Sequence, residues 1–137
     1  MFSPSLDEMY PKNYETYVES INSSKVLEGK FRPTHFKGVS TIVAKLFNIT
    51  KPHVAVFGQK DAQQVFIIQQ LVRDLNFSIE IIVAPIVREA DGLAMSSRNV
   101  YLNAEQRSDA KVLSESLKLA VKMISDGERN CSHIIDD

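Results

Sequence analysis

The sequence contains no tryptophan, one cysteine, five glycines and five prolines among 137 residues. A single cysteine, Cys131, excludes an intramolecular disulfide framework and fits a reducing compartment. Charge of one sign is also missing: sixteen Lys and Arg oppose seventeen Asp and Glu, a formal net charge of −1. Without a basic field to hold a phosphate backbone, nucleic-acid binding is disfavoured. No apolar run approaches the ~20 residues of a membrane helix, so no membrane partner is expected. The opening, Met1 to Glu8, has neither a basic n-region nor an apolar h-region. No secretory signal is expected, and the location expected is the cytoplasm. No segment repeats at a fixed period or is low in complexity. The Gly-x-x-x-x-Gly-Lys-Ser/Thr loop, the Gly-x-Gly-x-x-Gly fingerprint and the Gly-x-Ser-x-Gly elbow are missing too. His35, His53, His133 and Cys131 do not stand at zinc-ligand spacing, so no metal ligand is assigned.

What is present is the composition of a soluble globular domain, 44% hydrophobic and 24% charged. Residues 1–30 are irregular, punctuated by Pro4 and Pro11, with a weak alternation over Tyr17-Val18-Glu19-Ser20-Ile21 that admits a strand. Beyond Pro33 the pattern sharpens. Phe36, Val39, Ile42, Val43, Leu46 and Phe47 recur at helical spacing, with Thr34 as candidate N-cap. Val54-Ala55-Val56-Phe57 reads as a buried strand. Val65, Ile68, Leu71, Val72 and Leu75 mark a helix opening at Asp61, and Ile79 to Pro85 a second strand. Apolar strands joined through a helix predict a doubly wound α/β parallel sheet. Such sheets bind ligands beyond the carboxyl ends of their strands, so the loops after Phe57 and Pro85 should share a side. After Val87 the chain turns polar. Asn103 with Gln106 predicts a capped last helix carrying Leu113, Leu117, Ala120 and Ile124, stopped at Gly127 and followed by a polar tail.

Three segments are candidates for chemistry. In Phe57-Gly58-Gln59-Lys60-Asp61-Ala62-Gln63-Gln64 a strand hands over to a helix. Gly58 lets a ligand approach the backbone, free N–H groups at the helix start favour an anion, and Lys60 adds a cation. Asp61 and Gln64 suit ligand hydroxyls, but they equally match an N-cap and N3 pair that needs no ligand. In Asp91-Gly92-Leu93-Ala94-Met95-Ser96-Ser97-Arg98-Asn99, two hydroxyls and a guanidinium form a sensible phosphate set. Taken in isolation, a solvated turn with a surface arginine is the better reading of Ser96-Ser97-Arg98. The third segment, Arg32-Pro33-Thr34-His35-Phe36, holds a histidine that a helix start more often uses structurally.

Together these segments resemble the signatures of the pantothenate synthetase (pantoate–β-alanine ligase) family. Val56 to Gln64 is similar to its Phe-Gly-Glu-Lys-Asp-x-Gln-Gln signature, and Arg88 to Asn99 to its second signature nearly residue for residue. Arg32 to Val39, running into Lys45-Leu46-Phe47, fits a third block, and Pro4 with Glu8-Met9-Tyr10-Pro11 an upstream one. The blocks follow family order across most of residues 1–110. The resemblance implies a Rossmann-like nucleotidyltransferase fold: residues 1–88 as the second half of the nucleotide-binding domain, residues 89–137 as the start of a small α+β lid domain. It implies ligation of pantoate to β-alanine with ATP and Mg²⁺ through a pantoyl adenylate, in a homodimer when full length. ATP contacts would fall to Gly58, Gln59, Lys60, Asp61, Val87, Met95, Ser96, Ser97 and Arg98. Lys60, Ser96, Ser97 and Arg98 would carry catalysis, Asp61 would face the ribose, and Gln64 would bind pantoate. The chain departs at Gln59, where the family usually has Glu, and at Ala62, often an aromatic. The His-x-Gly-His signature is not among the 137 residues. The expectation is therefore an internal fragment, inactive alone and prone to self-association through exposed apolar surface. Alternatives are ligation of another acid, or a non-catalytic residual nucleotide-binding α/β module.

Overall fold

The computed structural model describes residues 2–136, and the chain divides into two compact units, Met1–Pro85 and Ile86–Asp137. The first unit opens with α1 (Leu6–Met9), closed by a reciprocal capping box between Ser5 and Glu8. A tyrosine ladder follows. Tyr14 meets Tyr10 and Tyr17 edge-on at 5.0 and 5.4 Å, and Lys45 and Lys37 sit over the Tyr14 and Tyr17 rings. Residues 17–21, where alternation admits a strand, are not one. Val18 instead gives its N–H to the Thr41 hydroxyl at 3.0 Å. Its backbone donor goes to a helix side chain, so no ladder forms there.

A 3-10 turn, Ser23–Lys25, and α2 (Glu28–Phe31) lead to α3 (His35–Thr50). The expected apolar stripe of α3 is its buried face: Phe36, Val43, Ala44 and Phe47 are in the core. Thr34 stands at the N-cap position but makes no side-chain cap bond. Its backbone is helical (φ −102°, ψ −5°), whereas a capping hydroxyl needs an extended residue to reach the N2 or N3 amide. Lys51 ends α3 in the left-handed region.

β1 (Val54–Gly58), α4 (Ala62–Asp74) and β2 (Glu80–Ala84) complete the first unit. The strands pair in parallel, from Val54 opposite Glu80 to Gly58 opposite Ala84. The sheet is thus the parallel one expected, with two strands. Asn76 at φ 53° closes α4, the Phe77 N–H returning to the Val72 carbonyl and the Asn76 N–H to Arg73, the Schellman pattern. The core joins Val43, Ala44 and Phe47 of α3 to Ile68 and Leu71 of α4, packed on Ala55, Phe57, Ile79 and Ile81. Alternation puts Val54, Val56 and Ile82 on the other face, where they are 43%, 63% and 43% exposed. Parallel sheets are ordinarily covered on both faces.

The second unit begins with a hairpin. Arg88 bridges Ala94 in antiparallel sense, and Glu89 accepts the Gly92 N–H at 2.9 Å and bonds Leu93 at 2.8 Å. Gly92, at φ 95°, takes the left-handed position of this three-residue loop. A Cβ there would meet Ser114 Oγ at 2.8 Å, so turn geometry and close packing both require glycine. A 3-10 turn, Ser97–Tyr101, follows. The Asn103–Gln106 capping box forms as expected, but it starts the short helix α5 (Ala104–Asp109). The single last helix is thus two, with α6 (Val112–Ser125) resuming after a break at Ala110 and Lys111. There the bonding tightens to i→i+3, Lys111 to Ser108 and Ser114 to Lys111. Gly127 (φ 104°) ends α6 in a second Schellman pattern, Glu128 N–H to Met123 carbonyl. The expected polar tail holds a helix, α7 (Cys131–Asp136). Along α6, Leu113, Leu117, Val121 and Ile124 remain largely exposed. No helix is long and apolar enough to cross a membrane among the described residues.

Candidate functional site

At the carboxyl end of β1, Gly58 has ordinary extended geometry (φ −77°, ψ 131°). The backbone does not demand glycine there. A Cβ would meet nothing within 4 Å, so what the residue leaves is open space beside the strand end. Gln59–Asp61 form a 3-10 turn before α4, and Gln59, Lys60 and Asp61 are all exposed. Asp61 occupies the N-cap position without capping: φ −95°, ψ 59° keeps its carboxylate off the helix amides. The Asp61–Gln64 capping pair is therefore not formed, because the chain enters α4 through the turn and not from extended backbone. Neither Lys60 nor Asp61 makes a salt bridge or side-chain hydrogen bond among the described residues.

The two adjacent glutamines differ. Gln63 is a clamp: its Nε2 donates to the Ser23 and Val26 carbonyls at 2.9 and 2.7 Å, and its Oε1 accepts the Glu28 N–H at 3.0 Å. It holds a loop in which Leu27 is strained (φ 49°, ψ −124°). The loop also depends on Gly29, where a Cβ would lie 2.0 Å from the Ser24 carbonyl oxygen. Gln64 is half-buried, and all three glutamine contacts to that loop belong to its neighbour. Nothing in the sequence flags the clamp, since its partners lie 35 to 40 residues away.

In the second unit Val87 is exposed, and its carbonyl accepts the Met95 N–H at 2.9 Å. Met95, Ser97 and Arg98 are exposed, while Ser96 is half-buried and accepts the Arg98 N–H at 3.2 Å. A network fixes the ends of this segment. Asn99 Nδ2 donates to the Ala94 carbonyl at 3.1 Å and to Glu89 Oε1 at 3.0 Å. Arg107 Nη2 donates to Glu89 Oε2 at 2.7 Å, and its Nη1 lies 2.6 Å from Asp91 Oδ2. The Asn99 amide and then Arg107 hold the Glu89 carboxyl below its ordinary range. Arg107 chiefly, with the Leu93 N–H, does the same for Asp91, and the two carboxylates raise Arg107 in turn. Arg107 carries no sequence signal beyond lying one turn after the Asn103 cap.

Each loop by itself has chemistry that suits an anionic ligand: in the first unit Lys60 is a cation and Asp61 an acceptor at a strand end, and in the second Ser97 and Arg98 are donors on a tied loop, all four side chains without partners among the described residues. No group of three or more His, Cys, Asp or Glu side chains that could hold a metal occurs among the described residues.

The sequence profile of the pantoate-beta-alanine ligase family matches residues 1–136. A pantothenate synthetase from Thermoanaerobacter sp. (strain X514) is 62% identical over 135 residues, covering 98% of this chain and 48% of that protein. One from Thermotoga petrophila is 56% identical over 137 residues, covering all of this chain and 49% of the relative. The chain thus spans about half the length of the curated relatives it matches. The crystal structure of pantothenate synthetase from Thermus thermophilus superposes with a TM-score of 0.88 at 45% identity, covering 92% of this chain and 46% of that one. A pantoate-beta-alanine ligase from Francisella tularensis, crystallised with beta-gamma ATP and beta-alanine, gives a TM-score of 0.73 at 41% identity, covering 82% and 43%. With its mixed α/β fold and parallel sheet, the chain belongs to the pantoate–β-alanine ligase family.

Proposed function

We propose that this chain supplies part of the site at which a pantoate–β-alanine ligase joins the two substrates at the expense of ATP. The pantoate carboxylate attacks the α-phosphorus, and the bond to the β-phosphate oxygen breaks to release pyrophosphate. The β-alanine amine then attacks the acyl carbon of the pantoyl adenylate, AMP leaves, and the amine proton is lost. Such a route needs charge neutralisation and in-line positioning but no covalent enzyme nucleophile. In this reading residues 1–88 are the second half of the nucleotide-binding domain and residues 89–137 begin the lid.

Each residue has one task. Gly58 leaves room for the nucleotide and Gln59 borders it. Lys60 neutralises phosphate charge, Asp61 accepts from the ribose, and Gln64 hydrogen-bonds pantoate. Val87 meets adenine through its backbone. Met95, Ser96, Ser97 and Arg98 cover the triphosphate. Mg²⁺ would arrive with the phosphates, which usually supply ligands to this ion together with water. The exposed apolar sheet face, Val54, Val56 and Ile82, would be covered by the remainder of the fold, in a cytoplasmic homodimer.

The observation that supports this best is the free Lys60–Asp61 pair at the carboxyl end of a parallel strand, where such sheets bind ligands. The test is pantoate-dependent ATP–pyrophosphate exchange, by the chain alone and with the N-terminal half of a relative in trans. Exchange is expected only on complementation, and Lys60→Ala should lower it about a hundredfold, as loss of a phosphate-stabilising cation does. Silence in both arms, with the fold verified by circular dichroism, would refute the reading.

A further inference from the structure

The Ser96–Arg98 loop is held from outside itself. Asn99 ties its far end to its near end through the Ala94 carbonyl, and Glu89 holds the same Asn99 amide at 3.0 Å. Glu89 is in turn held by Arg107 at 2.7 Å, from a helix eighteen residues further on. That helix is anchored by the Asn103–Gln106 capping box, and the Arg107 N–H bonds the Asn103 carbonyl at 2.8 Å. The guanidinium also meets Asp91 at 2.6 Å, so it separates two carboxylates that would otherwise repel. The other cation acting on Asp91 is Lys111, which makes no salt bridge to it among the described residues. Arg88, from the hairpin itself, spends its Nη1 on the Gly92 carbonyl at 2.9 Å.

We infer that Arg107 is a positioning residue: through Glu89 and Asn99 it fixes the loop whose Ser97 and Arg98 meet the triphosphate. The role in ligation rests on the function proposed above, whereas the hold on the loop does not. Arg suits the task because its planar fork engages two carboxylates at fixed separation, which a lysine ammonium cannot reproduce.

The experiment uses the 137-residue chain, with the N-terminal half of a relative added in trans for kinetics, comparing wild type with Arg107→Met, Arg107→Lys and the double variant Arg107→Met/Glu89→Gln. Glutamine keeps an acceptor for Asn99 while removing the carboxylate that would repel Asp91. Amide hydrogen exchange is read first. Arg107→Met should speed exchange at residues 96–99 about tenfold, with α5 and α6 unchanged, since loops open locally at low free energy. The double variant should restore much of the protection, and Arg107→Lys should fall between. Unchanged exchange at residues 96–99, or acceleration spread evenly over the unit, overturns the inference. Kinetics are read second. Pantoate-dependent pyrophosphate exchange should lose about tenfold in kcat with KM for pantoate within about twofold, the pattern of a misplaced phosphate-facing group. Loop-confined acceleration with unchanged kcat overturns the link to ligation. A wild type that stays inactive even on complementation overturns the ligase reading, while the amide exchange still decides what Arg107 does.

Discussion

Gln63 and Gln64 are adjacent, identical in chemistry and separable by one pair of substitutions. Gln63→Leu keeps shape and removes three hydrogen bonds to the loop over residues 23–28. Two of those contacts are exposed and one is half-buried, so water partly compensates. At ~0.5–1.5 kcal/mol net per bond, discounted for that exposure, the cost is about 2 kcal/mol. The strained Leu27 backbone adds to the effect, because the clamp is what holds it. Gln64→Leu removes none of these bonds and should change stability by less than about 0.5 kcal/mol. Under the function proposed above, its cost should fall on pantoate, as a raised KM. Urea titration of the two variant chains, and pantoate-dependent pyrophosphate exchange by each with the N-terminal half of a relative added in trans, form the assay. If Gln64→Leu is the destabilising variant, or Gln63→Leu leaves the urea midpoint unmoved, the assignment of clamp and ligand is wrong.

Two further predictions concern the second unit. Gly92→Ala should destabilise by about 2–3 kcal/mol, combining the left-handed backbone cost with the 2.8 Å clash at Ser114 Oγ. On a Ser114→Ala background the nearest remaining contact is Cβ at 3.7 Å, so only the backbone cost of ~1–2 kcal/mol should persist, measurable as a double-mutant cycle. Glu89 and Asp91 are held below their unfolded values by Asn99 and Arg107, so the unfolded chain binds more protons as pH falls. Their stabilisation is complete above the unfolded range near ~4 and is lost as pH drops through the lower folded values. Amide protection at residues 96–99 should therefore fall on acidification below about pH 4, and Arg107→Met should blunt that dependence. Protection that increases with acid would contradict the ion-pair account.

Much of the fold was legible because its determinants are local or periodic. The stripe from Phe36 to Phe47 and the β-branched runs at Val54 and Glu80–Ala84 each announce a buried face within one segment. The Asn103–Gln106 box and Gly127 are read within a few residues, and both are realised. Two expectations failed because backbone entry geometry depends on what precedes the element, and a third because of a contact made far along the chain. Thr34 and Asp61 do not cap because turns deliver them in non-extended conformations. The Tyr17–Ile21 alternation forms no strand because Thr41 takes the Val18 amide.

The sequence by itself determined the parallel α/β plan and which residue types could meet an anion, since these rest on periodicity and residue chemistry, and it carries the segments that resemble the family's signatures. Only the tertiary structure decided which of two neighbouring glutamines clamps the loop over residues 23–28, why position 92 must be glycine, and that a distant arginine meets the Glu89 carboxylate that holds Asn99. The physical reason is range. Hydrophobic periodicity is written along one element, whereas a hydrogen bond spanning forty residues, or a 2.8 Å approach between turn and helix, exists only once the chain has closed.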